Sequence, residues 1–118
     1  MDKNSSHIIS LKSRWEILLG KLTDMIGEPP DLQGVLFMIG VQELGKGYRK
    51  FSKDEKQDLL HIATCKILSY TAYFELSGLD DEGWPHWKQI KEIPKLSLKE
   101  QDMMLKEGAI MYFEEIGY

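Results

Sequence analysis

Apolar residues recur at helical spacing in three stretches of this chain and fall into a shorter-range pattern in a fourth. Trp15, Leu18, Leu19, Leu22 and Ile26 lie three or four positions apart, which predicts an amphipathic helix from Leu11 to Ile26 with a single core face. Gly27 ends it, and Pro29-Pro30 forbids continuation. Asp31 is suited to cap a second helix reaching Leu44. The run Val35 to Val41 within it is apolar on every side, so this element is expected to be central. A buried strand has the same apolar signature, but Gln42-Glu43-Leu44 followed by Gly45 has the form of a last helical turn with its C-terminal glycine, which favours helix. Gly40 inside this run costs about 1 kcal/mol of helix propensity relative to alanine, and close packing against a neighbouring element would explain it.

The third helix is marked by its start. Ser52-Lys53-Asp54-Glu55 has capping-box spacing, and Leu59, Leu60, Ile62, Ala63, Ile67 and Leu68 fill a wide apolar face up to about Tyr70. The pattern then changes. Tyr73-Phe74-Glu75-Leu76 and Trp84 to Ile90 are short, aromatic-rich segments flanking a Gly78–Gly83 reversal, the signature of a β-hairpin. Pro85 restricts its strand to a sheet edge or a strand start. A lone hairpin is marginal in water, so this one must pack on the helices, with the tryptophans as the adhesive. Ser97-Leu98-Lys99-Glu100 is a second capping box, opening a last helix to about Ile116 with Leu105, Ala109, Tyr112, Phe113 and Ile116 as its core stripe. The pattern therefore predicts a mainly α protein: a compact bundle of about four helices with one small β-hairpin between the third and fourth. It reads as one domain over residues 1–118, with residues 1–9 a loose N-terminal tail.

Composition adds little to that fold but narrows the setting. A chain of 118 residues, 42% hydrophobic and 29% charged, can bury a sizeable core without disulfides or metal. The single cysteine, Cys65, has no internal partner, which points to a reducing compartment. Met1 to His7 lacks the apolar run of a signal peptide, and no later run is long enough to span a bilayer. A cytoplasmic location is expected. The formal charge of −4 argues against a general nucleic-acid binder. Residues 78–118 hold nine acidic residues against five lysines, so the net acidity belongs to the C-terminal third. Lys46, Arg49, Lys50, Lys53 and Lys56 form a local basic patch, most simply a solvated loop entering a helix.

Catalytic signatures are weak. Asp58, His61 and Cys65 share one helical face, and with Glu43 from the preceding helix they could form part of a metal centre for a small metal-dependent enzyme. The second Asp-x-x-His copy that a carboxylate-bridged site requires is missing, and so are the further ligands of a structural zinc site. His61 as a hydrogen-bonded residue at the core edge and Cys65 as a small buried hydrophobe is the simpler account. Cys65 could be served by His61, His7 or His86, yet a mid-helix cysteine lacks the field that activates a thiol. Gly45-Lys46-Gly47 lacks the spacing of a phosphate loop, and Asp80-Asp81-Glu82 fails the calcium-loop template. No motif specifies a cofactor.

Binding surfaces are better candidates. Leu79-Asp80-Asp81-Glu82-Gly83-Trp84-Pro85-His86-Trp87 puts an acidic turn, two tryptophans and a histidine within nine residues. Trp84, His86 and Trp87 either fasten the hairpin to the helices or form a recognition surface. Tyr48 and Phe51, interleaved with Lys46, Arg49 and Lys50, suit a weak stacking-plus-phosphate patch for single-stranded nucleic acid or a phosphorylated ligand, although Phe51 also fits as a hydrophobic staple before Ser52. Met104 and Met111 widen the apolar arc of the last helix and suit a dimer contact or, equally, a broad core face. Ile39-Gly40-Val41-Gln42-Glu43-Leu44-Gly45, Asp54-Glu55-Lys56, His61-Ile62-Ala63 and Gly83-Trp84-Pro85-His86-Trp87 together resemble a family of small bacterial proteins of unassigned function, over the chain from about Val35 onward. That resemblance implies a bacterial cytoplasmic protein and adds no functional residue. The leading expectation is a non-enzymatic protein-interaction module, with a protein partner or a second copy (a homodimer) engaged through the hairpin or last helix. The metal-dependent enzyme and the phospholigand binder are the alternatives.

Overall fold

A computed structural model describes residues 3–118, with side chains described from Ser10 onward. Helix α1 spans Lys3–Ile26, α2 Leu32–Leu44 and α3 Lys53–Ser69, followed by β1 Phe74–Leu79, β2 Pro85–Gln89 and α4 Leu98–Glu115. Four helices with a two-stranded antiparallel hairpin between the third and fourth are the architecture that the hydrophobic pattern predicts. The first helix begins earlier than Leu11, however. Residues 3–9, expected as a loose tail, are helical in backbone, because Lys3 to Ser10 contains no proline or glycine to stop a helix propagating back from the packed turns. Met1 and Asp2, the rest of that expected tail, lie outside the described residues.

Local chemistry sets the helix boundaries. The Asp31 side chain accepts from the Gly34 amide at 2.7 Å to start α2, and Gly45, at φ +72, ends it in the left-handed conformation that costs glycine little. Both capping boxes form: Ser52 accepts from the Glu55 amide while Glu55 accepts from the Ser52 amide, and Ser97 and Glu100 repeat the exchange.

The main core gathers Leu11, Trp15, Leu18 and Leu22 of α1 with Val35, Leu36 and Ile39 of α2, Ala63, Ile67 and Leu68 of α3, and the inner face of α4. Ile110 joins Ala109, Tyr112 and Phe113 in that face, whereas Ile116, expected within the stripe, caps the helix end and is 46% exposed. Arg14 ties α1 to α4 through Glu107 at 3.0 Å and Glu114 at 3.7 Å. Gly40 sits where α2 meets α3. A Cβ there would lie 2.8 Å from the Leu59 carbonyl carbon and nearer still to its oxygen, which is the close packing that its presence in a helix demands.

A smaller cluster of Leu44, Phe51, Leu59 and Ile62 lies beside the main core, with Phe37, Val41 and Trp84 packed onto it. Phe51 thus belongs to this cluster and is not a staple, because the residue a staple would meet, Lys56, is charged. Ala72, at φ +64, reverses the chain after α3 and sends the hairpin back along that helix. Phe74 pairs with Gln89 and Leu79 with Pro85, with a bulge between Leu76 and Gly78. Pro85 is the first residue of its strand, the position where its missing N–H interrupts no ladder. No helix is long and apolar enough, among the described residues, to cross a membrane.

Candidate functional site

Where the hairpin folds back over α3 it leaves a groove of about 350 Å³. The exposed turns of α3 supply one wall with Glu55, Asp58, His61 and Ile62. The hairpin supplies the other with Asp80, Glu82, Trp84, Pro85, His86 and Trp87. Two groups of residues that sequence spacing kept apart, the Asp58–His61 pair and the tryptophan-histidine cluster, therefore share one cleft.

The Asp80 carboxylate builds the hairpin end of the groove. It accepts from the amides of Glu82 and Trp84, each at 2.9 Å, and faces His86 Nε2 at 3.0 Å. Backbone bonds from Gly83 to the Asp80 carbonyl and from Asp80 to the Trp84 carbonyl close the turn. Gly83 supplies the positive φ of +85 that the reversal needs. The His86 contact, followed by the two amides, holds the Asp80 carboxyl below its ordinary value. Ser77, at the bulge, donates to the His86 carbonyl at 2.9 Å.

Trp84 and Trp87 are each half-buried, and His86 between them is exposed. Trp84 rests on the smaller cluster. The indole nitrogen of Trp87 is buried with no hydrogen-bond partner. Trp84 thus does both jobs that the sequence posed as alternatives, fastening the hairpin to the smaller cluster and lining the groove, and Trp87 lines the groove beside it.

The remaining sequence candidates fall elsewhere. Lys46 reaches across to donate to the Glu82 carbonyl. Arg49 pairs with Glu55 at 2.7 Å and lies 4.8 Å from the centre of the Phe51 ring. Of the basic patch, Tyr48 and Lys50 stay exposed, and two of its cations are already engaged within the molecule. Glu43 does not join Asp58 and His61: it accepts from the Tyr112 hydroxyl at 2.9 Å, because α4 packs across the end of α2 that carries it. Burial, then the bond to Glu43, pushes the Tyr112 phenol well above its ordinary value, and burial with the nearby Glu115 carboxylate does the same for Tyr70. Among the described residues no three His, Cys, Asp or Glu side chains converge to hold a metal ion. Cys65 is fully buried, with its sulfur 3.5 Å from His61 Nε2, and burial pushes its thiol up to about 11. At neutral pH it is a protonated packing residue. The side chain of His7 lies outside the described residues.

Sequence reasoning missed Glu55, Asp80 and Glu82 as wall residues, assigning the first to a cap and the others to an acidic turn. The available signal was the short connection from α3 to β1, which obliges the acidic turn to return over the exposed face of α3. No protein-family model, curated protein or solved structure matches this chain.

Proposed function

We propose that this chain is a small, non-enzymatic interaction module of the bacterial cytoplasm, and that it binds a partner protein in the groove between α3 and the hairpin. The observation that carries this reading is the placement of Trp84 and Trp87, which form a stiff aromatic wall without being fully used by the core. Such rings give large contact area at small entropic cost, and they recur at the energetic centres of interfaces. The turn that presents them is held by five hydrogen bonds within Asp80 to His86 rather than left free, so the wall is preorganised. Self-association belongs to the same proposal as a second mode, through the edge of α4 where Met111 is 38% exposed; Met104 is half-buried against the core and contributes less.

A photo-cross-linking amino acid placed at His86, at the groove rim, tests the reading in cells. A discrete cross-linked species is expected from position 86 and not from Ile17, which is equally exposed at 61% but lies on α1. Cross-links of the same mass from both positions, or from neither, refute the groove as the interaction site. Sedimentation of the purified chain tests self-association: one monomeric species at every concentration rules it out.

A further inference from the structure

The lining of the groove specifies the chemistry of its occupant. Its four carboxylates come from both walls, Glu55 and Asp58 from α3 and Asp80 and Glu82 from the turn; no lysine or arginine is among its lining residues, and Arg49 and Lys46 beside it are engaged by the Glu55 carboxylate and the Glu82 carbonyl. Two of the four are already committed, Glu55 to Arg49 and Asp80 to the turn and His86. The other two, Asp58 on one wall and Glu82 on the other, make no side-chain ion pair or hydrogen bond among the described residues. Free negative charge therefore faces the cleft from opposite sides, with indole rings beside it.

We infer that the groove takes an arginine side chain presented by a basic segment of the partner protein. The inference rests on the reading of the groove as a docking site and names what docks. A guanidinium is planar, always charged and weakly hydrated, so it stacks on a tryptophan face while its N–H fork reaches carboxylates at its edge. A lysine ammonium offers neither the plane nor the fork. The cleft is near the small end of ligand sites, which run from roughly 300 to 1,000 Å³, so it suits one anchoring side chain with its neighbouring peptide rather than a folded surface. The acidity of the C-terminal third of the sequence thus has a local expression on the face that carries the aromatics.

The test uses the full chain, labelled with ¹⁵N, and a blocked octapeptide of alternating glycine and arginine. Its counterparts replace arginine by lysine or by citrulline, the neutral isostere. The indole resonances of Trp84 and Trp87 are expected to shift with the arginine peptide, while that of Trp15, buried in the main core, stays still. The lysine peptide binds more weakly and the citrulline peptide not at all. Affinity falls roughly tenfold as ionic strength rises from about 0.05 M to about 0.3 M. Combining Asp58→Asn with Glu82→Gln, both at exposed positions, is expected to weaken binding while leaving the far-ultraviolet spectrum unchanged. Equal shifts with the citrulline peptide, no shift at millimolar arginine peptide, or full affinity in the double variant each overturn the inference. If cross-linking from position 86 still captures a discrete partner in that event, the groove stands as a docking site and only its charge preference falls.

Discussion

Gly40 and Gly20 are both helix-interior glycines, and replacing each with alanine should move stability in opposite directions. In isolation either change gains up to about 1 kcal/mol of helix propensity. At Gly20, exposed on α1, a Cβ meets nothing within 4 Å, so that gain should appear in full. At Gly40 the new carbon would lie 2.8 Å from the carbonyl carbon of Leu59 and 3.0 Å from its Cβ. Carbon atoms pack best at about 3.5–4.0 Å, so α2 and α3 must part by about 1 Å along their contact. The opposing atoms are mainly backbone and cannot rotate aside. Overpacking of this kind costs about 3 kcal/mol when the neighbours cannot yield, which leaves a net loss of about 2 kcal/mol after the propensity gain. Urea unfolding followed by far-ultraviolet circular dichroism reads both. With a slope of about 2 kcal/mol per molar urea, the Gly40→Ala midpoint should fall by about 1 M and the Gly20→Ala midpoint rise by about 0.5 M. A Gly40→Ala midpoint at or above that of the parent would show slack between α2 and α3 and refute the packing argument.

Three further outcomes follow from the site and its surroundings. Asp80→Ala should release the turn, seen as movement of the Trp84 amide and indole resonances toward their unstructured positions. In the parent the same change should be driven by acid alone: a lowered folded pKa stabilises fully above the ordinary carboxyl value of 3.8 and is lost as pH falls through the folded value beneath it, so turn resonances unchanged by acid would contradict the assignment. Cys65 should resist a thiol reagent at pH 8 in the native protein and react at once in urea, and rapid native labelling would place it outside the core. Tyr112→Phe removes the donor to Glu43 and should lower stability by about 1 kcal/mol in the same urea assay, while an unchanged midpoint would mean that water replaces the hydroxyl without penalty.

The parts of this fold that were legible in the sequence are those fixed by neighbours a few residues away. Ser52 with Glu55 and Ser97 with Glu100 announce two helix starts because a capping box is complete within four residues. The hairpin was legible for the same reason, since its turn, its aromatic strands and Pro85 all act locally. The extent of α1 was not, because a helix propagates past the end of its apolar stripe until something stops it. The site was half legible. Asp58 and His61 were visible as one face of α3, and Trp84, His86 and Trp87 as a cluster, but their union in one groove depends on where the hairpin lands. Glu43 failed as a partner for Asp58 and His61 because a residue on a third element, Tyr112, claims it, and no spacing within α2 or α3 carries that information.

The smaller cluster beneath the hairpin has a consequence for how the molecule breathes. β1 and β2 pack on α3; Phe74 anchors the base of β1 on the main core, while Trp84 rests on the smaller cluster. A two-stranded sheet in which no residue is fully buried belongs to the part of a protein that opens first, well before global unfolding. Its amides should therefore exchange with deuterium faster than those of α2 and α4, without any loss of the four-helix frame. An occupant of the groove touches both the hairpin and α3, so it binds the closed form alone and slows that exchange in proportion to its affinity. Hydrogen exchange at the Phe74–Gln89 ladder thus becomes a gauge of occupancy that works before the partner is known.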